Sequence, residues 1–403
     1  KMIIFKMAFK QMKIVYIFHM NTNDFVTRII YFLSIMFNLS SKFSKKTFRI
    51  GTRSSPLALA QTNRIVELLK SKDANLEYQI LTPENITEKL TMKELANIED
   101  LSYKKLSHIA LNLHELDIIV HSMKDVSKKL SPEFVIGCIC MRDSCEDVVV
   151  MRVDLQGKTL EELPIGSVIG TSSLRRISKL KRKYPHFDII PIKGDLDKRI
   201  QKLDDQQTDP GASRKPYSAL ILAKAGIIRL NLEHRISQEL IFTDTFYAVG
   251  QGALACECRT DDPETRELLS VINDEKSMLS CIGERSFLKA FDCRASEAVA
   301  VQSVFTESDY TLKACVSSND GSKCIEKEKT LTLCDNLVES EKNDLPENEN
   351  FTGILIWGID KLTLTKMQKC RNLGENVAKL LKSSDADIIL HENRKEKKCS
   401  RHK

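Results

Sequence analysis

What this 403-residue chain lacks removes several classes of function. Its twelve cysteines are scattered and form no C-x-x-C pair, so neither a disulfide scaffold nor a zinc ribbon is written in the spacing. Reduced thiols are expected. The eight histidines are dispersed as well, and no structural zinc site is expected. No G-x-G-x-x-G is completed; Gly250-Gln251-Gly252 comes nearest and reads as a hinge or turn. There is no internal repeat. The apolar stretch Ile29–Leu39 is shorter than the ~20 residues of a membrane helix, so stable membrane insertion is not expected. The net charge of +6 is small for the length and is not gathered in one block, which argues against a nucleic-acid partner.

What is present is an ordinary globular composition, 42% hydrophobic and 29% charged, long enough for two or three cores. Cys138 and Cys140, and again Cys256 and Cys258, form C-x-C pairs in apolar runs, the pattern of one strand face packed inward. Residues 1–47 stand apart, rich in Ile, Phe, Met and Lys with Asp24 as the single acidic residue. Such a segment reads as a targeting extension and is set aside from the fold.

From Thr47 onward short apolar strands alternate with amphipathic helices. Phe48–Ile50 precedes a helix opened by Ser55 as cap and Pro56 at the first position. Leu116–Val120, Ser167–Gly170 and Ser218–Leu222 read as further buried strands. The alternation predicts an α/β protein with parallel, doubly wound sheets, in which ligands gather beyond the carboxyl ends of the strands. After Asp262 the pattern changes to a helix over Ser277–Phe291 and strands over Ala298–Phe305 and Tyr310–Ser317, a small α+β domain. Asp204–Lys215 reads as a surface insertion, Ser340–Asn350 as a solvated loop, and His391–Lys403 as a frayed basic tail.

The unusual polar residues sit at the strand-to-helix turns. Cations at a helix start are mildly unfavourable, by roughly 0.3–1 kcal/mol each. Yet Arg175 and Arg176 follow Thr171-Ser172-Ser173 directly, and Arg53 and Lys124 hold comparable positions. Hydroxyls, amides and guanidinium forks converging in this way make a receptor for carboxylate or phosphate. Asp125, beside Lys124, is the acidic residue among these cations, placed to steady a developing positive charge or move a proton.

Three segments carry a resemblance: Gly51-Thr52-Arg53-Ser54-Ser55-Pro56-Leu57-Ala58, His121-Ser122-Met123-Lys124-Asp125-Val126 and Gly170-Thr171-Ser172-Ser173-Leu174-Arg175-Arg176. Together with Lys193-Gly194-Asp195, Arg199, Tyr217–Leu230, Val249–Leu254 and Glu284-Arg285, they resemble the porphobilinogen deaminases, or hydroxymethylbilane synthases, from Phe48 to about Val301. The resemblance implies three domains: two doubly wound mixed-sheet α/β domains of periplasmic-binding-protein type, residues 48–142 with 238–262 and residues 143–237, and a small α+β domain, residues 263–395, followed by a tail at 396–403. It implies a monomeric enzyme that joins four porphobilinogen units head to tail, releasing ammonia and then hydroxymethylbilane, without metal. A dipyrromethane primer bound by thioether to a cysteine of the third domain is implied too. Arg53, Ser55, Lys124, Ser173, Arg175, Arg176, Arg199 and Arg229 match positions holding acetate and propionate groups of primer and substrate. Asp125 matches the catalytic aspartate, which stabilises the azafulvene cation.

Three departures bear on this. The family's Glu-Gly-Gly-Cys is replaced by Phe291-Asp292-Cys293-Arg294-Ala295, and without gaps the expected cysteine falls on Ala295. A shift of two residues along an extended segment keeps the same face, so Cys293 is the expected attachment point, with Arg294 favouring its thiolate. Lys193 stands where an arginine is usual. Between Leu81 and Leu106 the match is poor, and Tyr103 is the candidate for the aromatic over the primer. The alternatives are a two-lobed anion-binding module without chemistry and a homologue impaired at its cysteine. Lys-, Ile- and Asn-rich usage with the basic leader points to a plastid such as an apicoplast, with the cytoplasm as the other destination.

Overall fold

The computed structural model describes residues 2–9, 12–19, 43–91, 102–205, 215–240, 246–294, 296–333 and 350–399. The chain forms two compact units, 1–46 and 47–403. In the first, β1 (Met2–Phe9) pairs antiparallel with β2 (Met12–His19), Met2 opposite His19. Both strands are dense in β-branched and aromatic residues. The apolar stretch Ile29–Leu39 lies outside the described residues, and among those described no helix is long and apolar enough to cross a membrane.

The second unit contains three sheets. Its first strands are β3 (Thr47–Gly51), β4 (Glu77–Leu81), β5 (Ile118–Ser122) and β6 (Phe134–Ile139). Next come β7 (Asp147–Met151), β8 (Val168–Gly170), β9 (Asp188–Ile190), β10 (Ala219–Ala223) and β11 (Ile236–Glu239). The last are β12 (Leu254–Arg259), β13 (Val299–Phe305), β14 (Asp309–Ser317) and β15 (Cys324–Thr332).

One sheet runs β4-β3-β5-β12-β6 and the other β11-β7-β10-β8-β9. In each, parallel strands meet one antiparallel intruder: β12 against β5 and β6, β7 against β10. These are mixed, doubly wound sheets, as the resemblance implies; the alternation alone predicts parallel strands, and the antiparallel β7 and β12 depart from it. β6, β10 and β12 are buried throughout; β6 and β10 are continuously apolar, as burial on both faces requires, whereas β12 carries Glu257 and Arg259. Cys256 stands opposite Cys138, and all four C-x-C thiols are packed inside, as their apolar setting implies.

The third sheet is the antiparallel meander β13-β14-β15, covered by the helices Glu275–Ala290 and Lys361–Lys382. Phe287, Phe291, Leu312, Met367, Leu373 and Val377 fill the space between them. The basic tail departs from its reading. Residues up to Cys399 continue a helix that starts at Ala386, because Ile389 and Leu390 are buried and Asn393 donates to the Ser317 carbonyl at 2.9 Å. The cores of the insertion and of the acidic loop, 206–214 and 334–349, lie outside the described residues.

Gly252, just before β12, adopts φ 87°, and an added Cβ would sit 2.5 Å from the Asp143 carbonyl oxygen. Gly252→Ala is expected to cost about 1–3 kcal/mol in urea unfolding, the usual range for a strained backbone position. A change below about 0.5 kcal/mol would show that the turn relaxes freely.

Candidate active site

The strand ends build the site. Beyond β3, Ser55 caps the helix Pro56–Lys72 by accepting from the Ala58 amide at 3.4 Å, leaving Arg53 exposed ahead of it. Beyond β5, a single 3-10 turn, Met123–Asp125, presents Lys124 and Asp125. Beyond β8 the helix Leu174–Lys183 begins, and beyond β10 the helix Lys224–Arg229. Because both sheets point these ends at each other, Arg53, Ser55, Lys124, Asp125, Arg176, Arg199 and Arg229 share one cavity of about 530 Å³. Six cationic side chains line it against three carboxylates, counting Lys104 with the former and Asp195 and Glu257 with Asp125.

Arg176, Arg199 and Arg229 are braced by backbone or carboxylate oxygen. Arg176 donates to the Ile221 carbonyl and to Asp147 Oδ1, both at 2.8 Å, and its buried Nε has no protein partner. Arg199 donates to the Gly194 carbonyl at 2.7 Å. Arg229 donates to Asp143 Oδ2 at 2.9 Å and to the Gly252 carbonyl at 2.6 Å. Burial lowers the pKa of Arg199, Arg176 adding to the effect, and burial lowers that of Arg229 despite Asp143. Such crowding of positive charge is unfavourable until an anion enters.

Lys124 shows the same strain. Burial and then Arg176 pull its pKa down to about 8, against the opposing pull of Asp125 and Asp147. A carboxylate bound beside it restores the charged form, so binding takes up a proton above pH ~8. Affinity for a carboxylate ligand is therefore expected to fall as pH rises through about 8 and 9, and Lys124→Arg, which stays charged, to flatten that fall. An unchanged pH profile in the variant, read by titration calorimetry, would assign the dependence elsewhere.

Three expected ligand-binding residues lie elsewhere. Arg175 is buried, not on the cavity wall: it grips Asp147 at 2.7 and 3.3 Å and reaches the Phe246 carbonyl at 3.3 Å. Consecutive helical residues diverge by about 100°, so Arg176 faces the cavity while Arg175 faces the core. Ser173 occupies the cap of that helix, where its backbone amide donates to Thr171 Oγ1 at 3.3 Å, and it is absent from the wall. The Cys293 thiol is fully buried, also away from the wall. Burial, then Glu297, pushes its pKa up to about 12, so the thiolate expected from Arg294 is not favoured. Ala295 lies outside the described residues. Tyr103 does line the cavity, as does Asp195, whereas Lys193 does not.

Sequence reasoning missed the carboxylates behind the cations. Asp147, first residue of β7, holds both Arg175 and Arg176; burial opposes its ionisation, but the two guanidiniums keep its pKa far below the usual range. Glu257 on β12 bridges His108 at 3.1 Å and His121 at 2.8 Å, and those bonds outweigh burial to hold it at about 2. The available signal was an acid inside an apolar strand, Cys256-Glu257-Cys258. Arg285 donates to the carbonyls of Val126 and Ser127 at 3.2 and 2.7 Å, fixing the chain directly after Asp125. Glu284, next to it, receives Arg142, Tyr247, Ser303 and the Gly250 amide.

Fold and site together define a two-lobed α/β protein whose interlobe cavity is a receptor for a ligand with several carboxylates. Comparison narrows the class. A family model described as "Porphobilinogen deaminase, dipyromethane cofactor binding domain" matches residues 48–267. The porphobilinogen deaminase of Kluyveromyces lactis is 35% identical over 309 residues, covering 74% of this chain and 90% of that protein. That of Candida albicans is 35% identical over 336 residues, covering 81% and 94%. That of Synechococcus elongatus is 34% identical over 281 residues, covering 70% and 85%. Among solved structures, the Bordetella pertussis BvgS periplasmic VFT2 domain aligns at TM-score 0.31 and 14% identity over 59% of this chain and 89% of its own. That similarity is too low to add to the sheet orders above. The chain belongs to the porphobilinogen deaminase family. It is a hydroxymethylbilane-forming transferase, condensing four porphobilinogen molecules with loss of ammonia in tetrapyrrole and heme biosynthesis, with a dipyrromethane cofactor.

Proposed function

We propose that the cationic cavity is where the condensation takes place, with Arg53, Ser55, Lys124, Arg176, Arg199 and Arg229 holding pyrrole carboxylates around Asp125. The carrying observation is the set of cations around one cavity, with a buried Arg176 Nε that lacks a protein partner. Each pyrrole brings two carboxylates, so a two-pyrrole primer and an incoming unit bring as many carboxylates as the cavity has cationic side chains. These residues suit dipyrromethane, and when bound it supplies the pyrrole carbon to which each new unit is joined. Asp125 offsets the positive charge that develops on porphobilinogen as ammonia departs. Arg175 serves indirectly, by keeping Asp147 in place behind Arg176.

Cys293 remains the proposed attachment point. Lys128, three residues after Asp125, donates to Asp292 at 2.8 Å and to the Cys293 carbonyl at 3.4 Å, tying this segment to the stretch whose Val126, Ser127 and Leu130 form cavity wall. Attachment requires the thiol to leave the pocket under Leu288, toward whose carbonyl it points. Intact-mass measurement of denatured protein should show two added pyrrole units, and acidic Ehrlich reagent should colour it. Cys293→Ala should remove both signals. An adduct surviving in that variant moves the site to another thiol, Cys281 first, and no adduct with no porphobilinogen consumption ends the enzymatic reading.

A monomer, which the family resemblance implies, is the proposed working unit; sedimentation of the purified chain tests it. The acid-poor, basic composition of residues 1–47 supports import into a plastid such as an apicoplast. A fusion of those residues to a fluorescent reporter tests it, a diffuse cytosolic signal counting against import.

A further inference from the structure

The hairpin β14–β15 assembles a cluster that the condensation does not use. Cys315 stands opposite Glu326 and Ser317 opposite Cys324, so all four side chains emerge on one face of the sheet. Cys315 Sγ, Cys324 Sγ and a Glu326 carboxylate oxygen all lie within 4.8 Å of one another. Ser317 Oγ donates to Cys324 Sγ at 3.4 Å, and the Cys324 thiol reaches Glu326 Oε1 at 3.5 Å. Cys315 is buried beside Phe246 and Ala300, Cys324 is half-buried, and Glu326 is exposed, so the cluster has an apolar floor and an open side.

We propose that Cys315, Cys324 and Glu326 form a binding site for a soft divalent cation of the Zn²⁺ class, with water as the fourth ligand. Two thiolates and a carboxylate match the sulfur and oxygen donors such an ion accepts in tetrahedral geometry. A disulfide fits the geometry less well. The cysteines are a diagonal pair, and diagonal neighbours lie about 7–8 Å apart at Cα, beyond the usual span of about 4.4–6.8 Å. An ion held between the sulfurs needs no such approach. The opposing charge is Lys179, which lies near Cys315 and donates to the Phe246 carbonyl at 2.9 Å; burial lowers its pKa to about 8.

The position gives the ion a structural role. The turn joining the two strands carries Gly321, at φ 78°, packed against the Ser178 carbonyl and Arg182 of the helix that opens with Arg175 and Arg176. An ion joining β14 to β15 fastens that turn against the helix.

The test uses the full chain, purified under reductant and freed of metal. Zn²⁺ in competition with a chromogenic chelator should bind at a single site per chain, and Cd²⁺ should give thiolate-to-metal absorption in the ultraviolet. Cys324→Ser should abolish that absorption and weaken Zn²⁺ by about 100-fold or more, and Glu326→Gln by about 10-fold. Glu326 is exposed, so its variant keeps the fold and the second measurement stands even if the first variant is unstable. Zn²⁺ affinity unchanged in Glu326→Gln with absorption unchanged in Cys324→Ser overturns the proposal, placing the metal on other thiols. So does recovery of a Cys315–Cys324 disulfide in place of bound metal.

Discussion

Asp125→Asn is expected to lower turnover by about 10²–10⁴-fold while leaving the melting temperature and porphobilinogen binding nearly unchanged. The amide has the shape of the carboxylate but no charge, so it occupies the same turn without offsetting the cation formed as ammonia leaves. Asp125 is exposed within the cavity at the end of a short turn, with its neighbour Lys124 and the loop behind it pinned by Arg285. The other two wall carboxylates are placed for different work. Glu257 is shared between two histidines, and Asp195 stands in the N-cap position of the helix Leu196–Asp204, on the lobe opposite Asp125. Asp195→Asn should therefore lose far less than Asp125→Asn. Near-normal single-turnover rates in Asp125→Asn would remove its role, whatever the binding data show.

Asp147→Ala is expected to be the most damaging single change to stability, about 3–5 kcal/mol, as is usual when one partner of a buried ion pair is deleted. Both Arg175 and Arg176 depend on this carboxylate, and Gln251 also donates to it at 2.9 Å. Arg175 would be left charged in the core with two carbonyl-type contacts, at Phe246 and Gln251. Arg176 would keep the Ile221 carbonyl but lose its fixed direction. Urea unfolding at neutral pH reads the first effect and porphobilinogen affinity the second. A loss under about 1 kcal/mol would mean that water enters and solvates the guanidiniums.

Much of this was legible in the sequence, for a physical reason. Strand ends and helix starts announce themselves by composition, so cations at Arg53, Lys124 and Arg176 could be placed at one crevice without coordinates, while Arg199 and Arg229 were legible only through the family resemblance. Pattern alone could not separate Arg175 from Arg176, since adjacent residues share composition and differ only in helical phase. It could not see Asp147 either, which begins an apolar strand and pairs with residues 28 and 29 positions away. The Cys293 thiol was misjudged because its neighbour Arg294 is close in sequence but burial governs its ionisation. The thiol pair at Cys315 and Cys324 was invisible because only the strand register brings it together.

The Glu284 carboxylate ties together both places where the backbone passes from one lobe to the other. Arg142 belongs to the outward passage, Tyr247 and Gly250 to the return, and Ser303 to the third sheet. Those bonds resist parting of the two crossovers, so room for a lengthening tetrapyrrole is expected to come from the lobes swinging about that shared anchor.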